Sequence, residues 1–163
     1  MKQVSTLFLK VAVFFIGLPI LALCIFLLPQ IASEAIEQAA NGSQLAYVVF
    51  GLLLIMYGST IPFYVALFQT LRLLSYIDKN QAFSELSVRA LKKIKNCAIT
   101  ISGLYVVALP FVYIIAEWDD APGLIVIGLV IIGASMVIAV FAAVLQKLLK
   151  EAIDIKSEND LTV

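Results

Sequence analysis

Residues 121–145 read APGLIVIGLVIIGASMVIAVFAAVL, twenty-five positions without one Asp, Glu, Lys, Arg or His. A helix rises about 1.5 Å per residue, so about 20 residues cross a hydrocarbon core about 30 Å thick. This stretch crosses with residues to spare. A strand of a membrane barrel would instead alternate polar and apolar positions over about 10 residues, and no alternation is present. Working outward, three more stretches have the same character: 96–116, 45–71 and 11–28, again free of acids and bases. The expectation is an all-α polytopic membrane protein, a four-transmembrane-helix bundle forming one membrane domain over residues 1–163.

Composition agrees. The chain is 63% hydrophobic and 13% charged, with a mean hydropathy of +1.06, whereas a soluble domain carries about 25% charged residues. So large an apolar surplus cannot be hidden inside a small globule, most of whose residues lie near its surface. The run at 11–28 follows a basic start, as a signal peptide would, but no Ala-x-Ala cleavage site follows it. Leu23 also stands where the lipoprotein box needs a small residue. The first segment therefore reads as a retained helix, with Pro19 inside it and Pro29 ending it.

Orientation follows from the bases. All eleven Lys and Arg fall in segments 1–10, 72–95 and 146–163, which hold 52 of the 72 residues outside the spans. Chance would give that segregation about 3% of the time, and basic loops stay inside. The reading is a multi-pass cell-membrane protein with both termini and the 72–95 loop cytoplasmic. The two opposite loops hold Glu34, Glu37, Glu117, Asp119 and Asp120 and no base. Within 29–44, Ser33 to Ala40 reads as a short interfacial helix closed by Asn41-Gly42. Helix four should begin at Pro122, with Asp119 or Asp120 as its cap.

On the basic side, helix two continues through Leu74 and Ile77 before Asp78-Lys79-Asn80 breaks it. Ser84 reads as an N-cap opening a helix that enters the third span. Leu86, Ala90, Ile94 and Cys97 share one face of it, and Arg89, Lys92 and Lys93 another. Past the fourth span, Leu145, Leu148, Leu149, Ala152 and Ile155 form an apolar stripe. Glu85–Arg89, Lys147–Glu151 and Lys150–Asp154 are spaced i, i+4 for ion pairs. These apolar extensions are expected to cover one another. Residues 157–163 read as a disordered polar tail.

Chemistry is scarce. There is no histidine, hence neither the commonest general base nor the commonest metal ligand. Cys24 and Cys97 lie in apolar surroundings far apart and read as small apolar residues. Spans without ionisable groups argue against proton relays and ion pathways and against an intramembrane protease. No cofactor or metal is expected, and an enzyme is not. Four features remain. Gly128, Ser135, Ala139 and Ala143 give helix four a smooth seam, for packing within the chain or, alternatively, in a homodimer. Gly58, Ser59, Thr60 and Pro62, with Gly103 and Pro110, interrupt helices two and three as a hinge or cavity wall would. The segment Arg89, Lys92, Lys93 and Lys95, with Phe83, Ser84, Lys147 and Lys150, suits anionic headgroups or a soluble partner. Direct nucleic-acid binding is not expected, because a helix pinned at a bilayer cannot easily enter a major groove.

The run Tyr76-Ile77-Asp78-Lys79-Asn80-Gln81-Ala82-Phe83-Ser84, continued by Ala90-Leu91-Lys92-Lys93-Ile94-Lys95, resembles the central signature of the domain-of-unknown-function 2975 family (DUF2975). The turn Glu117 to Gly123 and the ending Glu158 to Val163 are similar to members from Bacillus-like bacteria. The glycine that members often carry between Ile77 and Phe83 is missing, with Lys79, Asn80 and Gln81 in its place. The resemblance implies a small four-helix bacterial membrane protein whose gene often neighbours that of a tiny helix-turn-helix regulator. It implies no catalytic residues. The function expected is regulatory, with the 78–95 and 147–156 face holding that regulator at the membrane. The alternative is a small-molecule or lipid-binding component such as a transporter accessory, an immunity protein or a stress sensor.

Overall fold

The computed structural model describes residues 2–162, and the described residues outside the short turns are helical. Helix α1 spans Lys2–Ala22. A wide π turn at Leu23–Leu27 joins it to α2, Leu28–Ala40. Then follow α3 (Leu45–Asp78), α4 (Glu85–Trp118) and α5 (Gly123–Thr162). Four helical rods result, each long and apolar enough to cross a membrane. At about 1.5 Å per residue the 40-residue α5 is about 60 Å long, about twice the hydrocarbon thickness.

The first rod differs from the sequence reading. Pro29 does not end it, and the separate interfacial helix is the far end of one continuous rod. Proline lacks an N–H, and its ring clashes with the carbonyl four residues back. The chain absorbs that misfit one turn early: the Leu28 N–H donates to the carbonyl of Leu23, five residues back. In that register the carbonyl of Cys24 would look to residue 29, where there is no donor. The Tyr57 hydroxyl of α3 supplies one at 3.0 Å.

Three helices end alike, with the N–H two residues beyond the cap reaching five residues back: Ser43 to Gln38, Gln81 to Tyr76, Ala121 to Ala116. The residues that turn the chain have positive φ, Gly42 at 86°, Asn80 at 60° and Asp120 at 52°. This is the left-handed helix stop in which Gly is commonest and Asn tolerated. Asn80 thus does what the missing family glycine does. Asp119 and Asp120 close α4 rather than cap α5, whose first N–H groups answer the carbonyls of Ala121 and Pro122. Ser84 stands at the N-cap of α4 in extended conformation, yet its hydroxyl donates to the Gln81 carbonyl at 2.6 Å instead of capping.

The tail is also corrected. Residues 134–162 contain neither Gly nor Pro, nothing stops the helix, and α5 runs on to Thr162.

The rods pack in sequence order, α1 on α3, α3 on α4 and α4 on α5, while α1 and α5 make no comparable approach. Hydrocarbon gives apolar helices no reason to associate, so close packing of small residues must hold the seams. Ala46, Ala98, Ala108, Ala116, Ala139 and Ala142 are buried there. A methyl added at Gly51 would stand 3.0 Å from the Phe111 ring, and one at Gly128 would stand 3.3 Å from Leu109. The α1–α3 seam adds a Tyr64 hydroxyl donating to the Gly17 carbonyl at 2.9 Å.

Candidate functional site

Because α1 and α5 do not close on each other, the space between the four rods remains open. It forms a cavity of about 540 Å³, within the size range of small-molecule sites. The π turn contributes Leu23, Cys24 and Leu27, α3 contributes Ser59, Thr60 and Phe63, α4 contributes Ala98, Ile101 and Tyr105, and α5 contributes Ile131, Ala134, Ser135 and Ile138. The lining holds no acid and no base.

Besides Cys24 its polar groups are hydroxyls, three of them on three different rods at one depth. Ser59, Tyr105 and Ser135 each lie near the middle of their spans. Ser59 Oγ donates to the Met56 carbonyl at 2.7 Å, so the Tyr105 hydroxyl, 3.2 Å away, is the donor of that pair. Thr60 and Thr70 hydroxyls donate to the backbone of their own helix. Ser135 is largely buried at the wall, and its hydroxyl, which makes no hydrogen bond to the described residues, is open to the cavity and not sealed in the packing. Of the interrupting residues, Ser59 and Thr60 line the space. Gly58 and Gly103 are exposed on the outer surface, with nothing within 4 Å of an added methyl, and Pro62 and Pro110 are not in the lining. Helical periodicity explains this: Gly58 is turned about 100° from Ser59. Tyr105 had no signal in the sequence, since an aromatic in a span is ordinary until its depth and partner are known.

In helix four, Ser135 and Ala139 are buried and Ala143 half-buried, and Gly128 abuts Leu109 of α4.

At the basic end, Arg89, Lys92, Lys93, Lys147 and Lys150 are exposed, Ser84 and Lys95 half-buried, and Phe83 exposed. The apolar extensions cover one another only partly. Val88, Ala90 and Leu91 are buried, but Leu86, Leu145, Leu148 and Ile155 remain exposed. None of the pairs Glu85–Arg89, Lys147–Glu151 and Lys150–Asp154 closes to a salt bridge among the described residues. Exposed pairs gain little from closing. The salt bridge that does form joins α1 to the end of α3, Lys10 Nζ donating to Asp78 Oδ2 at 2.9 Å, with the Thr6 hydroxyl donating to the other oxygen. These two hydrogen bonds hold the Asp78 carboxyl below the usual carboxylate range, Thr6 contributing most.

The fold and this uncharged cavity define a small four-helix membrane protein. The chain belongs to the DUF2975 family, described as proteins of unknown function, whose profile matches residues 31–163. It is similar to the uncharacterized membrane protein YoaS of Bacillus subtilis (strain 168), 65% identical over 163 residues, the whole of both chains. No solved structure matches it. The α1 wall of the cavity lies outside the stretch matched by the family profile but inside the likeness to the Bacillus relative.

Proposed function

We propose that this membrane protein is a non-enzymatic ligand-binding component that holds a small, largely apolar molecule between its four helices. One observation carries the reading: hydroxyls of Ser59, Tyr105 and Ser135 gather at mid-depth in a mostly apolar cavity of about 540 Å³, whose Thr60 and Thr70 hydroxyls are spent on their own helix. An ordinary acyl chain brings only methylene groups to that depth and leaves a hydroxyl such as that of Ser135 without a partner, which is costly in hydrocarbon. An occupant with a hydroxyl, carbonyl or ring oxygen part-way along an apolar body satisfies it. The lining lacks the acid, base or activated nucleophile a reaction needs.

Native mass spectrometry after extraction in mild detergent tests this. The wild type should retain a bound adduct of small-molecule mass. Ala134→Phe with Ile138→Trp, which fills the cavity, should lose it. Ser135→Ala should weaken retention about fivefold, the value of one hydrogen bond of about 1 kcal/mol. A bare wild type, or an adduct indifferent to the filling substitutions, overturns the proposal.

A second reading has its own observation. The basic end, which we infer to be cytoplasmic, presents Arg89, Lys92 and Lys93 beside exposed Phe83 and Leu86. That mixture suits an acidic amphipathic helix of a soluble protein. The small helix-turn-helix regulator implied by the family resemblance would have to dock by a face other than its basic DNA-binding one. Co-purification lost on Lys92→Glu with Lys93→Glu supports docking; no association with the wild type removes it.

A further inference from the structure

The exposed stripe at the end of α5 has a period. Leu145, Leu148, half-buried Ala152 and Ile155 are spaced three, four and three residues apart, the a and d positions of a heptad. The stripe is not the face that packs on α4. That face runs through Ser135, Ala139, Ala142, Gln146, Leu149 and Ile153, buried or half-buried and about 120° around the helix. Leu145, Leu148 and Ile155 are 50%, 55% and 59% exposed.

From the contact levels along the seams (Thr6 beside Asp78, Ser59 beside Tyr105, Gly128 beside Leu109), α3 and α4 end near the height of residue 151 of α5 and α1 about one turn further on. The last turns of α5, about 11 residues, stand beyond α3 and α4. An isolated helix of that length is marginal in water and takes its stability from packing an apolar face.

We propose that this stripe is a homodimer interface: two copies in one membrane pair their α5 extensions as a short parallel coiled coil. Three observations select a second copy as the occupant. Copies inserted with the same topology present their α5 ends side by side and parallel, which is the required orientation. With Leu145 at a, Glu151 falls at g and Lys156 at the following e, so each Glu151 faces the Lys156 of the other copy, a complementary pairing formed twice. Glu151 makes no salt bridge among the described residues of its own chain. Confinement to a plane raises the effective concentration of one copy for another, as a linker does, which offsets the shortness of a two-heptad seam.

Disulfide cross-linking in native membranes tests the proposal, in a chain carrying Cys24→Ala and Cys97→Ala. Leu148→Cys and Ile155→Cys, at d positions, should each give a band at twice the monomer mass on mild oxidation. Lys147→Cys and Lys150→Cys, on the outer face, should give at least tenfold less. In the Ile155→Cys chain, Glu151→Lys or Lys156→Glu should each lower the yield severalfold, and the two together should restore it. Equal cross-linking on both faces, no product at the d positions, a band of another mass, or no rescue by the double charge swap overturns the interface.

Discussion

Asp78 is where one residue does most to set local order. Its two carboxylate oxygens are divided between Thr6 and Lys10, so the first turns of α1 are tied to the last turn of α3. Both hydrogen bonds favour the charged form, and the carboxyl lies below its usual range. A group whose native pKa is depressed adds stability that is present above its unfolded value and is lost as the pH falls through the native one. The tether is therefore complete at neutral pH and releases as the pH falls below the ordinary carboxylate range. Asp78→Asn should raise amide hydrogen exchange in residues 4–10 at pH 7 to the level the wild type reaches in acid. It should also flatten the acid dependence and leave the thermal midpoint of the whole chain little changed, since the tether joins only the first turns of α1 to the end of α3. Unchanged exchange would mean that packing alone holds α1 there. No sequence pattern pointed to this pair. The i, i+4 rule sees neighbours on one helix, and Lys10 and Asp78 are 68 residues apart; the pairs it did nominate at 85–89, 147–151 and 150–154 are exposed and unformed.

Elements were legible to the extent that hydrophobic length decides them, and illegible where one backbone group does. All four rods follow from uninterrupted apolar runs. Their ends follow from local hydrogen bonds, and there Asn41-Gly42 and Asn80 acted as turn residues should, while Pro29 did not. Proline was read as a stop because it removes a bond; the structure moves the misfit into the turn at Leu23–Leu27 and lets Tyr57 supply the missing donor. Tyr57 lies 33 residues from Cys24, so the rescue was invisible along the chain. A double-mutant cycle follows. Tyr57→Phe should cost about 1 kcal/mol in the wild type, the value of one interhelical hydrogen bond in a membrane. In a Pro29→Ala background the restored N–H can serve the Cys24 carbonyl, so the same substitution should cost close to nothing. Equal costs in both backgrounds, measured by unfolding in mixed micelles, would separate the hydroxyl from the proline.

The whole molecule is polarised along one axis and incomplete around it. Around the axis, the rods pack α1–α3–α4–α5 and stop short of closing, and that gap is the cavity; apolar runs carry no information about which rods meet, so only the hydroxyl-bearing residues could hint at it. Along the axis, the sequence places eleven bases at one end and none at the other, and the Lys10–Asp78 bridge brings the start of α1 to the end of α3, as that arrangement requires. A basic residue near an anionic inner leaflet contributes about 1 kcal/mol, and moving clustered lysines across hydrocarbon is costly at every step. The inferred orientation has the Gly42 turn outside and the 79–84 turn and the α5 extension inside. It is tested with single cysteines in the Cys24→Ala, Cys97→Ala chain. A membrane-impermeant maleimide should label Ser43→Cys on intact cells and reach Gln81→Cys and Asp160→Cys only after permeabilisation. Labelling of Gln81→Cys on intact cells would reverse the orientation and remove any docking of a cytoplasmic regulator at Arg89, Lys92 and Lys93. The cavity and the parallel pairing of α5 would survive that result, because both depend on which rods face one another and not on which leaflet the bases meet.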